Sequence, residues 1–95
     1  SLQIEAVINS LDFVKESAAI AVSPPNGGPD KLIIYFVENS KTDAEQALSI
    51  IKKLVKTQIN PLFKVSEVLC IDKLPRTASG KVMRKNLRKA YRTKV

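Results

Sequence analysis

The run Leu32-Ile-Ile-Tyr-Phe-Val37 constrains this chain more than any other stretch, because it is apolar at every position. Successive side chains of a strand point to opposite faces, so such a strand has to be covered on both sides. The rest of the chain must supply two covering layers. A second strand-like run spans residues 17–22, and Pro24-Pro-Asn-Gly-Gly-Pro29 between the two is dense in turn formers. The pair reads as a β-hairpin with an exposed loop, whose glycines serve the turn and carry no chemistry.

The covering elements follow from periodicity. Ile4, Val7, Ile8 and Leu11 recur at helical spacing, predicting a short amphipathic helix that Ser1 would cap. Thr42-Asp-Ala-Glu45 matches a capping box and predicts a helix from about residue 43. Its apolar positions are Ala47, Leu48, Ile51, Leu54 and Val55, and Pro61 ends it. Residues 67–71 read as a third strand with Cys70 inside it as a small buried hydrophobe. Met83, Leu87, Ala90 and Tyr91 give a last helix an apolar stripe, with Arg84, Lys85, Arg88, Lys89 and Arg92 on the opposite side. The expected fold is α+β: a small three-stranded mixed sheet flanked by helices, its second and third strands parallel through a right-handed crossover.

A chain of 95 residues, 44% hydrophobic and 26% charged, is one domain's worth of globular sequence. It contains no histidine and one cysteine, which excludes an internal disulfide, a Cys/His zinc site and any Ser/His or Cys/His nucleophile pair. No metal site is expected, and lysine is left to carry any chemistry. No apolar stretch reaches the roughly 20 residues that a membrane-spanning helix needs. Beginning at Ser1 without an initiator methionine or a signal-peptide core, residues 1–95 are expected to be one domain of a longer intracellular protein, cytoplasmic or within an organelle.

The net charge of +7 is uneven, for Lys73, Arg76, Lys81, Arg84, Lys85, Arg88, Lys89, Arg92 and Lys94 all follow the last acidic residue, Asp72. Within this segment Leu-Pro-Arg-Thr-Ala-Ser-Gly-Lys-Val-Met-Arg, residues 74–84, presents Lys81 at the end of a polar turn. A phosphate-binding P-loop would need a glycine five residues before Gly80 and Ser or Thr after the lysine, and Pro75 and Val82 stand there instead. What remains is a turn in which Thr77 or Ser79 caps the following helix and Gly80 removes a blocking Cβ. Lys81 then emerges near the helix's positive end, and Arg76 positions the turn or meets a partner domain.

This motif, with Arg84 and Leu87-Arg88 after it, resembles the closing motif of the AMP-forming acyl-CoA synthetase and adenylate-forming enzyme superfamily. Ser-Leu-Gln-Ile-Glu-Ala-Val-Ile at 1–8 and the hairpin strands resemble the start of that family's mobile C-terminal domain, so the resemblance covers nearly the whole chain. Residues 23–29 and Asn-Pro-Leu-Phe-Lys-Val at 60–65 are similar to a branch that includes plant peroxisomal acyl-activating enzymes.

The resemblance implies an acid–thiol ligase in the full-length protein. A carboxylic acid and ATP, with Mg2+, would give an acyl-adenylate and pyrophosphate; coenzyme A would then take the acyl group and release AMP. Lys81 is identified by its place in the motif as the adenylation lysine. Arg76, Thr77, Ser79 and Gly80 would bind substrate or shape the turn, and Arg84, Lys85 and Arg88 are candidates for coenzyme A phosphates on charge alone. The partner would be the protein's own large N-terminal domain, which with the hinge would precede Ser1; residues 1–95 alone would be inactive and hold none of these ligands.

A pI near 9.8 leaves an alternative open, a basic nucleic-acid-binding or carrier-protein-docking module. Nucleic acid is not favoured, because Tyr91 is the only aromatic residue in the basic segment and offers no stacking platform.

Overall fold

The computed structural model describes residues 2–62 and 64–93. Six elements follow in the order α1 (Leu2–Ile8), β1 (Val14–Val22), β2 (Lys31–Glu38), α2 (Ala44–Gln58), β3 (Val65–Cys70) and α3 (Arg84–Thr93). The sheet order is β1-β2-β3. Antiparallel pairing sets Ala19 opposite Ile34, and parallel pairing across α2 sets Ile34 opposite Val68. The chain is the α+β domain expected, with a three-stranded mixed sheet and the run at 32–37 as its central strand.

Being central, β2 buries both faces. Ile34 and Phe36 pack with Ile4 and Ile8 of α1 and with Ala47, Ile51 and Val55 of α2. Ile33, Tyr35 and Val37 pack on the other side with Ala18, Ile20, Leu74 and Leu87. Phe13 meets Phe36 edge to face, ring centroids 6.0 Å apart at 82°. At roughly 1.5 to 3 kcal/mol for each fully buried aliphatic side chain, these two layers are the main source of stability.

Several local expectations are corrected. The capping box does not form: Asp43 is the N-cap of α2 and makes no side-chain cap bond. The Thr42 hydroxyl instead donates to the Ser40 carbonyl at 2.9 Å, and the Thr42 amide donates to Glu38 at 3.2 Å. The carboxylate at the end of β2 thus competes for the amide that would have opened the box. At the other end the amides of Ile59 and Asn60 both return to the Val55 carbonyl before Pro61. The Ser1 cap and Phe63 lie outside the described residues.

Cys70 is exposed rather than buried, because β3 is an edge strand and Cys70 is its last residue. Desolvation and then the negative charge of Glu38 push its thiol pKa up, so the group is accessible but poorly ionised.

The outer edge of β1 explains a further correction. Its Ala19 amide donates to the Glu5 carboxylate at 2.8 Å, and its Ala21 carbonyl accepts from Arg88 Nε at 3.2 Å. Side chains from α1 and α3 therefore occupy polar groups that an edge strand leaves open. Arg84 also turns inward and donates to Glu5, itself only 7% exposed, at 2.5 Å. Arg84 and Arg88, expected on a solvated face of α3, are drawn toward the sheet, while Ala90 of the expected apolar stripe is exposed.

Candidate functional site

Leu74, buried at 4% exposure in the layer beneath α3, fixes the start of the polar turn. From there the chain folds back as a miniature hairpin. The Met83 amide donates to the Pro75 carbonyl at 2.8 Å, Arg76 and Val82 form an antiparallel bridge, and the Thr77 amide donates to the Lys81 carbonyl at 2.8 Å. The Gly80 amide closes the tip on the Thr77 carbonyl at 2.9 Å. Gly80 has φ +88°, a region that costs other residues about 1 to 2 kcal/mol. A Cβ there would meet nothing within 4 Å, so the backbone angle, and no close approach within this chain, accounts for the glycine.

Lys81 is therefore placed differently from expectation. It occupies a self-closed turn, and α3 begins only at Arg84. Thr77 and Ser79 do not cap that helix. Their hydroxyls lie 3.0 Å apart, and Thr77 Oγ1 accepts from the Lys81 amide at 3.2 Å. The first turn of α3 returns to the Met83 carbonyl instead. The turn, rather than the end of a helix, presents Lys81, whose side chain is exposed and makes no ion pair among the described residues.

Arg76 braces this turn. Its Nη1 donates to the Gly80 carbonyl at 2.6 Å and its Nη2 to Glu16 Oε1 at 2.6 Å. An exposed ion pair contributes only about 0 to 1 kcal/mol, but the planar guanidinium fixes the direction of both bonds.

The structure thus gathers Arg76, Thr77, Ser79, Gly80 and Lys81 into one turn and separates the other three candidates from it. Arg84 and Arg88 are engaged with Glu5 and Ala21. Lys85 is exposed on the first turn of α3. Nothing in the local pattern separated Arg84 and Arg88 from Lys85, because the partners of the two arginines lie far away in sequence.

Two features escaped the sequence reading. One is Glu16, which gave no local signal. The other is a cationic groove of about 560 Å³ lined by Lys52, Lys53 and Lys56 of α2 with Lys64, Ser49, Pro61 and Val65. The Lys-Lys-x-x-Lys spacing on α2's polar face was the available signal. Among the described residues no group of three or more Cys, Asp or Glu side chains could hold a metal ion, and no helix is long and apolar enough to cross a membrane.

Over 93 residues the chain is 48% identical to "Probable acyl-activating enzyme 17, peroxisomal" of Arabidopsis thaliana, covering 93% of this chain and 13% of that protein. It is 40% identical to a hexanoyl-CoA synthase of Cannabis sativa, covering 96% of this chain and again 13% of the relative. The chain therefore spans about 13% of the length of these curated relatives. Among solved structures, a benzoate CoA ligase from Burkholderia xenovorans superimposes with a TM-score of 0.80 at 28% identity, over 92% of this chain and 18% of that one. An acyl-CoA synthetase from Brucella canis shares the fold, with a TM-score of 0.84 over 98% of this chain and 17% of its own at 24% identity. The family described as the AMP-binding enzyme C-terminal domain matches residues 3–81, from the first helix through the braced turn to Lys81 itself, and this chain belongs to that family.

Proposed function

We propose that this domain is the C-terminal lid of an ATP-dependent acid–CoA ligase and that Lys81 is its adenylation lysine. One observation carries the reading. In the turn at 77–81 the Thr77 and Ser79 hydroxyls and the Gly80 amide are engaged internally, while the Lys81 side chain is exposed. An ammonium presented this way suits a cleft in which two anions have to meet.

Adenylation brings a carboxylate oxygen onto the α-phosphorus of ATP, with pyrophosphate leaving. Two like unit charges at 4 Å repel by about 4 kcal/mol at an effective dielectric of 20. The Lys81 ammonium, reaching into the cleft with the N-terminal domain, would contact both groups and offset that repulsion as charge shifts to the leaving pyrophosphate. In the second step the coenzyme A sulfur attacks the acyl carbon and AMP leaves. The Mg2+ expected with ATP finds no ligand set among the described residues. For the phosphates of coenzyme A, Lys85 is the more available of the candidates on α3, because Arg84 and Arg88 already serve the edge of β1.

The test uses the full-length protein. Pyrophosphate exchange into ATP, driven by a panel of carboxylic acids, is compared between wild type and Lys81→Ala, with thioester formation from a supplied acyl-adenylate in parallel. Loss of exchange with survival of the second step supports the reading. Unchanged exchange refutes it.

The cationic groove favours a second reading of the acceptor, an acidic acyl carrier protein in place of free coenzyme A. Thioester formation on a carrier but not on coenzyme A would establish it. For nucleic acid the outlook is poorer, since Tyr91 is partly buried against the apolar layer beneath α3. Two of the relatives carry "peroxisomal" in their names, which supports that organelle over the cytoplasm. Co-localisation of a fluorescent full-length fusion with peroxisomal markers tests it.

A further inference from the structure

We propose that Glu16 is a positioning residue for the adenylation step, acting on Lys81 through Arg76. This rests on the assignment of Lys81 above and deepens it by naming what sets the pose of the turn.

Glu16 and Arg76 are 60 residues apart in sequence and meet at 2.6 Å. A bulge between Val14 and Glu16 breaks the regular pairing of β1 with β2. Bulges of this kind re-aim the side chains beside them. The Glu16 carboxylate receives one arm of the Arg76 guanidinium, and the other arm is 2.6 Å from the carbonyl of Gly80, the residue immediately before Lys81.

The chain of contacts is short and directional. Beyond the bulge β1 pairs with the central strand without interruption from Glu16 to Val22, so Glu16 stands at the start of a regular ladder. The planar fork of Arg76 transmits that position to Gly80 because its nitrogens are locked in one plane. Gly80 in turn controls where Lys81 leaves the turn. Without Glu16 the guanidinium keeps its bond to Gly80 alone and can swing with it. It would also stand as an uncompensated cation beside Lys81, able to draw the triphosphate away from the productive position.

The pair is also suited to positioning rather than to holding the fold together. Both side chains are partly exposed, 42% for Arg76 and 27% for Glu16, so the contact contributes little to stability. Its loss is expected to appear in the rate of one half-reaction and not in folding.

The experiment measures kcat and KM for pyrophosphate exchange, thioester formation from a supplied acyl-adenylate, and Tm, in full-length protein. The variants are Glu16→Ala, Glu16→Gln, Arg76→Ala, the Glu16→Ala/Arg76→Ala double and Lys81→Ala. A 1 Å misplacement can cost about a hundredfold, and losing half of the brace is expected to lower kcat for exchange about tenfold in Glu16→Ala. Thioester formation and Tm stay unchanged. The double variant is no slower than Arg76→Ala, and Glu16→Gln, which still accepts from the guanidinium, recovers most of the rate. If Lys81→Ala abolishes exchange while Glu16→Ala leaves it intact, or slows both half-reactions with a lowered Tm, the proposal is overturned and the assignment of Lys81 stands. If Lys81→Ala keeps full exchange, both fall together.

Discussion

Arg84 Nη2 and the carboxylate of Glu5, 79 residues apart in sequence, lie 2.5 Å from each other where α3 begins. The same carboxylate accepts from the Ala19 amide, so one buried anion joins α1, β1 and α3. Removing either partner leaves a charge without compensation. We expect Arg84→Ala and Glu5→Ala each to destabilise the domain by about 3 kcal/mol, the lower end of what a broken buried pair costs, because Arg84 remains partly exposed. Urea unfolding of the two variants checks this, and a change below half that size would mean the pair is solvated.

Lys81→Ala should behave in the opposite manner. The residue is exposed and its side chain holds nothing in the fold, so stability should shift by less than about 0.5 kcal/mol. Loss of a preorganised charge at the reacting groups should lower acid-dependent pyrophosphate exchange roughly 10²- to 10³-fold. Calorimetry and exchange assays on one preparation separate the two effects.

Gly80→Ala tests the turn by its backbone. With φ at +88° and open space where a Cβ would stand, the cost is conformational and amounts to about 1 to 2 kcal/mol. Gly80→Asn, which tolerates positive φ better, should be milder in both Tm and adenylation rate. Equal effects from the two substitutions would show that φ is not the constraint.

Cys70 yields a prediction from its pKa. Desolvation first and the Glu38 charge second raise the thiol pKa, which lowers the thiolate fraction at any given pH. Labelling by a disulfide reagent near neutral pH should therefore be slower than for an unstructured cysteine despite exposure, and should accelerate above the ordinary thiol pKa. Glu38→Gln removes part of the upward push and should speed labelling modestly. Fast labelling at neutral pH in the wild type would contradict the shift.

Much of the architecture was legible because it rests on local rules. The two-sided strand at 32–37, the helical period of Ala47, Ile51 and Val55, and the stop before Pro61 are set by neighbours within four residues or by the chemistry of a single side chain. That residues 77–81 turn was legible for the same reason, but their bonding was not: Thr77 and Ser79, expected to cap the next helix, pair with each other, and Gly80 is required by its backbone angle. What the local pattern misjudged were groups whose partners came from elsewhere. Asp43 rather than Thr42 became the N-cap of α2, with the Thr42 amide held by Glu38, and Cys70 became exposed once β3 took an edge.

The sequence by itself determined that this chain builds a small mixed sheet between helices and offers Lys81 on a polar turn, because apolar periodicity and turn chemistry act over a few residues. Only the tertiary structure decided which of the many cations are engaged. Arg84 and Arg88 are drawn to the edge of β1, Arg76 to Glu16, and Lys81 is left facing outward. The physical reason is that a buried carboxylate and the open edge of a strand must be satisfied by whichever charge the fold brings near. That proximity is a property of the packed chain, not of any window along it.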